Sequence, residues 1–152
     1  MSLKKYLNKF DRTVFYSALI IIFALIPFLT SLNQIAYIKD YTADANVEYG
    51  IGLLLVGWIN LFGAGISWLA NPLLFVAWLC LIRSYNKGAL IFSLLSILFS
   101  LSFLLFDQIL ANEAGDYCKI LERGLGYWLW LLSCIITFLG SVIVYAFKRN
   151  GS

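Results

Sequence analysis

From Tyr49 to Ile82 the chain runs for 34 residues without a charged side chain. As one straight helix that stretch would measure roughly 50 Å, at 1.5 Å per residue. The hydrocarbon core of a bilayer is only about 30 Å thick. The run is therefore too long for one simple crossing, and too short for two crossings and a turn. It also carries its own breakers, Gly63-Ala64-Gly65 and then Asn71-Pro72. Asn before Pro suits a helix start, with Asn71 as the cap and Pro72 in the first turn. The pattern predicts two helical pieces, about 50–62 and 66–83, with a break near 63–72. The first piece has Asn60 as its one polar side chain, which suits a helix buried among others better than one lying wet at an interface.

Three further apolar runs, about 14–34, 88–106 and 125–147, have lengths close to the 20 residues that span a membrane. Hydrophobic residues make up 62% of the chain, charged residues 12%, and the mean hydropathy is +0.87. Soluble domains carry about 25% charged residues. The expected fold is all-α: an integral membrane four-helix bundle with a long or broken second span and two short external loops, 33–48 and 107–124. One transmembrane domain takes up residues 1–152. Ile35 to Tyr41 could form a short strand in the first loop. Pro27 should kink the first span, because it cannot bond the carbonyl of Phe23. The first run is longer than the apolar part of a cleaved leader, so it is read as retained.

Charge placement orients the bundle. Lys4, Lys5, Lys9, Arg12, Arg83, Lys87, Lys148 and Arg149 flank one set of span ends, and Lys39, Lys119 and Arg123 the other. Basic residues collect on the cytoplasmic side of short loops. Eight against three sets both ends of the chain in the cytoplasm, and a bacterial inner (plasma) membrane is the expected location. The same distribution removes the nucleic-acid reading of the +3 net charge, because the cations sit at span ends and form no patch.

Histidine is absent, which removes the commonest general base and metal ligand. Cys80, Cys118 and Cys134 are far apart and form no Cys-x-x-Cys pair. Cys80 and Cys134 fall in apolar runs and read as packing residues. No metal and no cofactor is implied.

Four features could carry chemistry. The broken second span could line a polar site with Asn60, Ser67 and Asn71, as discontinuous membrane helices do; its alternative role is structural. Transporters usually keep an ionisable residue inside the membrane, and no span interior here has one. Ala89, Ser93, Ser96 and Ser100 recur at helical spacing on the third span, and Ser133, Thr137 and Ser141 on the fourth. Small residues let such helices approach closely, so these two spans should form a close hairpin. In the external loops, Asp107 and Cys118 are the candidates for a site, with Glu113, Asp116 and Glu122 read as solvated. Gly124 and Gly126 should allow a sharp entry into the fourth span, and Trp58 and Trp68 should pack against the break.

The expected function is that of a small non-enzymatic membrane protein acting through contacts, such as an accessory subunit or an immunity-type protein. Its partners are the lipid bilayer and another membrane protein or a second copy of itself, with no nucleic acid. The alternatives are a transporter or channel subunit using the break, and a membrane enzyme using the external carboxylates.

Overall fold

A computed structural model describes residues 3–41, 44–59, 61–110 and 115–150. Four helical stretches are long and apolar enough to cross a membrane: Thr13–Leu32, Gly63–Ile82, Asn86–Leu105 and Leu125–Arg149. In chain order the elements begin with α1 (Leu3–Leu32), which passes through Pro27 as one helix. There follow β1 (Ile35–Tyr41), β2 (Asp44–Tyr49) and the short α2 (Gly50–Val56). Then come α3 (Ala70–Ile82), α4 (Asn86–Ser102), β3 (Gln108–Leu110), β4 (Tyr117–Arg123) and α5 (Leu125–Asn150). Tight 3-10 segments extend three of the helices: Gly57–Ile59 after α2, Gly63–Leu69 before α3 and Phe103–Leu105 after α4.

Small polar residues share the bundle interior with an apolar cluster around Leu74, Trp78 and Leu81, and large apolar residues cover its outside. Ser17, Ser93, Ser96, Ser100, Ser133, Thr137 and Ser141 are buried, while Phe15, Ile22, Phe23, Ile26, Leu98 and Ile143 are exposed. Without a hydrophobic force between apolar helices, close packing and hydrogen bonds hold such a bundle together. Within the stripe Ser96 and Thr137 bond across helices, while Ser93, Ser100 and Ser141 bond carbonyls of their own helix. Ser96 Oγ reaches the carbonyl of Ala70 on α3 at 3.0 Å and Cys134 Sγ on α5 at 3.2 Å. Trp78 Nε1 donates to Thr137 Oγ1 at 3.0 Å. Helix α4 packs on both α3 and α5, and α1 lies along α5. The expected α4–α5 contact is thus one side of a closed bundle.

All-α is corrected by the two loops. They are hairpins, β1–β2 and β3–β4, joined into one antiparallel sheet of order β2-β1-β4-β3. The joint is the β1–β4 pairing, with Tyr37 opposite Arg123 and Asp40 opposite Lys119. The sheet rests on the bundle end through a buried cluster of Ala36, Tyr37, Ala64, Phe103, Tyr127 and Leu131. Gly124 and Gly126 make this seating possible by close approach. A Cβ at Gly124 would stand 2.2 Å from the carbonyl oxygen of Ile35, and one at Gly126 2.8 Å from that of Gln34.

The second span is irregular, and the irregularity overlaps the expected 63–72: a 3-10 stretch covers Gly63–Leu69 before α3 begins at Ala70. Helix α2 and its 3-10 extension end at Ile59, and the next helical residue is Gly63, at φ +56. Asn71-Pro72 falls in the first turn of α3, whose cap position is Leu69, so Asn71 is not the cap. Its amide Nδ2 donates to the carbonyl of Trp68 at 3.2 Å, the carbonyl four residues before Pro72 that the missing proline N–H would otherwise have bonded. The Asn71 side chain thus satisfies a carbonyl of the 3-10 segment that leads into α3. Helix α2 is also not buried among others. It has no buried residue, and Ile51, Leu55 and Val56 face outward.

At the opposite end, α3 closes on Ser84, a non-glycine residue at φ +56. Ser84 N–H bonds Leu81 O and Tyr85 N–H bonds Cys80 O, the two reversed bonds that satisfy the last carbonyls of a helix.

Candidate functional site

A cavity of about 240 Å³ lies between the sheet, α2 and the start of the Gly63–Ile82 piece. Its floor is Phe103, Tyr127, Trp130 and Asn71; its sheet-side wall is Tyr37, Glu48 and Ile109; its outer wall is Leu53, Leu54 and Val56 of α2. The break creates it. Residues 50–59 bend back over the bundle end, and Trp68 fixes them there by donating its indole N–H to Leu54 O at 3.1 Å. Gly57 leaves the space for that indole, since a Cβ would stand 2.5 Å from Trp68 Cδ1.

The polar groups around this cavity are mostly turned to internal use. Trp130 Nε1 donates to Asn71 Oδ1 at 2.8 Å, Ser67 Oγ to Ala64 O at 2.8 Å, and Tyr127 Oη to Ser100 O at 3.1 Å. Ser31 Oγ donates to Phe28 O at 2.6 Å. Glu48 pairs with Lys39 across the β hairpin. Burial pushes the Tyr37 phenol above the ordinary tyrosine range, and Glu48 and Cys118 push it further. What faces the cavity is therefore largely hydrocarbon and aromatic ring. Such a wall binds by exclusion of water and gives little hold on an ion.

Of the residues singled out by sequence, Ser67 and Asn71 line this cavity, and Asn60 lies outside the described residues. Asp107 is exposed just before β3, and its carbonyl accepts from Ile120 N–H at 2.9 Å. Cys118 is buried in β4, facing Ile109 O at 3.5 Å. Burial raises its thiol above the ordinary cysteine value, against a partial lowering by Lys39, so it is a poor nucleophile at neutral pH. Asp107 thus precedes β3 and is exposed, while Cys118 is buried within β4. Glu113 lies outside the described residues. Among the described residues no three of His, Cys, Asp and Glu gather as a metal site. Trp68 packs against the break as expected. Trp58 does not: it is largely exposed and bonds Leu55 O in its own helix.

Sequence reasoning missed the cavity because its walls come from both hairpins as well as from the broken span. Two signals were present. Gly124 and Gly126 mark where backbone must touch backbone, and the lone Gly57 marks room for a large ring.

The fold defines a bundle of four membrane-length apolar helices, capped at one end by a four-stranded sheet over an apolar cavity. No family model, curated protein or solved structure matches the chain.

Proposed function

We propose that this chain is a non-enzymatic multi-pass membrane protein that acts through contacts, and that the cavity beneath the sheet holds a hydrocarbon chain of a bilayer lipid. One observation carries the reading. Val56 lines the cavity and is also 55% exposed, and it continues into an exposed apolar strip of Leu55, Ile59 and Phe62. Val56 thus belongs both to the inner wall and to the outer apolar surface, as a lipid tail entering from the membrane would require. The size suits a chain segment. An apolar cavity of about 150 Å³ already binds benzene, and drug-sized pockets start near 300 Å³.

In this reading the sheet lies on the outer side and the Arg83–Lys87 turn in the cytoplasm, following the eight-to-three distribution of basic residues. The transporter alternative has less support, because the hydrogen-bonding groups of Ser67 and Asn71 at the break are committed within the protein.

The test is native mass spectrometry of the full chain released from lipid nanodiscs. Wild type should keep one lipid at energies that strip the rest. Ala64→Phe and Leu54→Trp, which fill the cavity, should lose it, while Leu98→Trp on the outer surface should not. A retained mass matching a peptide, or equal stripping of wild type and Leu54→Trp, would sink the lipid reading.

A further inference from the structure

A second cavity, about 370 Å³, lies at the end of the bundle away from the sheet, and its lining includes Ser84, Asn86, Lys87, Tyr145, Lys148 and Arg149. Among the described residues no carboxylate lines it. Three independent features meet there. The first is the N-terminus of α4, a 17-residue helix that no side chain caps. Its first backbone bond runs from Ala89 N–H to Tyr85 O, so the N–H groups of Asn86, Lys87 and Gly88 precede the helical ladder. Helix N-termini of this kind favour anions.

The second feature is Asn86. It is 3% exposed, and neither its Nδ2 nor its Oδ1 has a hydrogen-bond partner among the described residues. A buried amide left unpaired is costly, and native proteins rarely keep one without a use for it. The third is Ser84. It occupies a left-handed conformation that glycine would adopt without strain. Its hydroxyl is buried and has no hydrogen-bond partner among the described residues. A strained residue that keeps a side chain in place of glycine points to work for that side chain. The helix-closing bonds account for the Ser84 backbone but not for its hydroxyl or for the Asn86 amide, and among the described residues the three side chains that carry charge are all positive.

We propose that this cavity binds a phosphate group bearing a hydroxyl-containing substituent. Lys87, Lys148 and Arg149 supply the charge. Asn86 Nδ2, Ser84 Oγ and the first N–H groups of α4 donate to the phosphate oxygens. Lys148 already reaches Ser84 O at 3.3 Å, so it enters as a shared charge and also holds the turn. Asn86 Oδ1 is an acceptor and needs a donor, which the substituent's hydroxyl supplies. A glycerol phosphate has this chemistry, whether it comes from a lipid headgroup at the bilayer surface or from a soluble ester. The soluble source is independent of the lipid-tail reading of the other cavity, and the two sites lie at opposite ends of the bundle.

The test uses the full chain in neutral detergent, with thermal stability and titration as readouts. The probes are inorganic phosphate, glycerol 3-phosphate and phosphatidylglycerol, with chloride at matched ionic strength and phosphatidylcholine as controls. Stabilisation by glycerol 3-phosphate as well as by phosphatidylglycerol supports the site and a soluble source. Stabilisation by phosphatidylglycerol alone supports the site and a lipid source. Asn86→Leu and Ser84→Gly should each raise or preserve thermal stability without ligand, yet weaken binding by at least about tenfold. Lys87→Gln should weaken it without unfolding the protein. A merely structural role would move stability and binding together. The proposal is overturned if no probe stabilises wild type beyond its control, or if Asn86→Leu and Ser84→Gly bind as wild type does.

Discussion

Trp130 on α5 donates its indole N–H to the side-chain oxygen of Asn71 at 2.8 Å, while the Asn71 amide bonds back to Trp68 O. One asparagine thus satisfies a carbonyl of the segment leading into α3 and pins α3 to α5, at the floor of the sheet-end cavity. Trp130→Phe would leave Asn71 Oδ1 buried without its donor and should cost about 1–3 kcal/mol in thermal denaturation. Asn71→Leu should also destabilise. The double variant should lose less than the sum, by about 1 kcal/mol of coupling. Additive losses would mean that the bond contributes nothing.

Two glycines should respond in opposite directions. Gly124→Ala places a Cβ 2.2 Å from a backbone oxygen of Ile35, so the sheet must lift from α5, at a cost of about 2 kcal/mol. Gly52 in α2 has nothing within 4 Å of its would-be Cβ. There alanine should stabilise by up to about 1 kcal/mol through helix propensity. Denaturation midpoints of the two variants check both signs.

Arg123 closes the end of the third apolar stretch. Its Nη2 donates to Phe106 O at 2.9 Å and to Phe103 O at 3.4 Å, and its guanidinium stands 5.7 Å from the centre of the Phe103 ring. Arg123→Met removes the cation from a helix C-terminus and should cost about 2 kcal/mol. Arg123→Lys should restore only part of that, since an ammonium cannot fork across several carbonyls.

Alkaline pH should weaken the seating of the sheet. Tyr37 is buried and its phenol is raised above the ordinary 10.0. A phenol raised on folding favours the neutral form, so its contribution is complete below about pH 10 and is lost as pH rises through the folded-state value. Wild-type stability should fall over that range, and Tyr37→Phe should fall less. The comparison of the two melting curves against pH isolates Tyr37 from the lysines.

How far the sequence carried this reading differs by element. The four apolar stretches were legible because each matches a solvent thickness, which is a local property. The second span's irregularity was legible from length alone. Asn71-Pro72 has the composition of a helix start, and α3 does begin beside it at Ala70; the 3-10 geometry of Gly63–Leu69 before it carries no comparable signal. The sheet was nearly invisible. Its central pairing joins Tyr37 to Arg123, and strand formation across that separation depends on partners more than on local preference. Of the candidate site, Ser67 and Asn71 line the cavity, but their hydrogen bonds belong to the protein itself.

The most direct test of the contact reading is photocrosslinking in nanodiscs with a phospholipid carrying a diazirine on its acyl chain, followed by peptide mapping. Adducts should concentrate on Leu53, Leu54, Trp68 and Ile109 inside the cavity, and should disappear from them in Ala64→Phe. Adducts confined to outward residues such as Phe15, Ile22 and Ile26, with the cavity residues unlabelled in wild type, would contradict a lipid chain in the cavity.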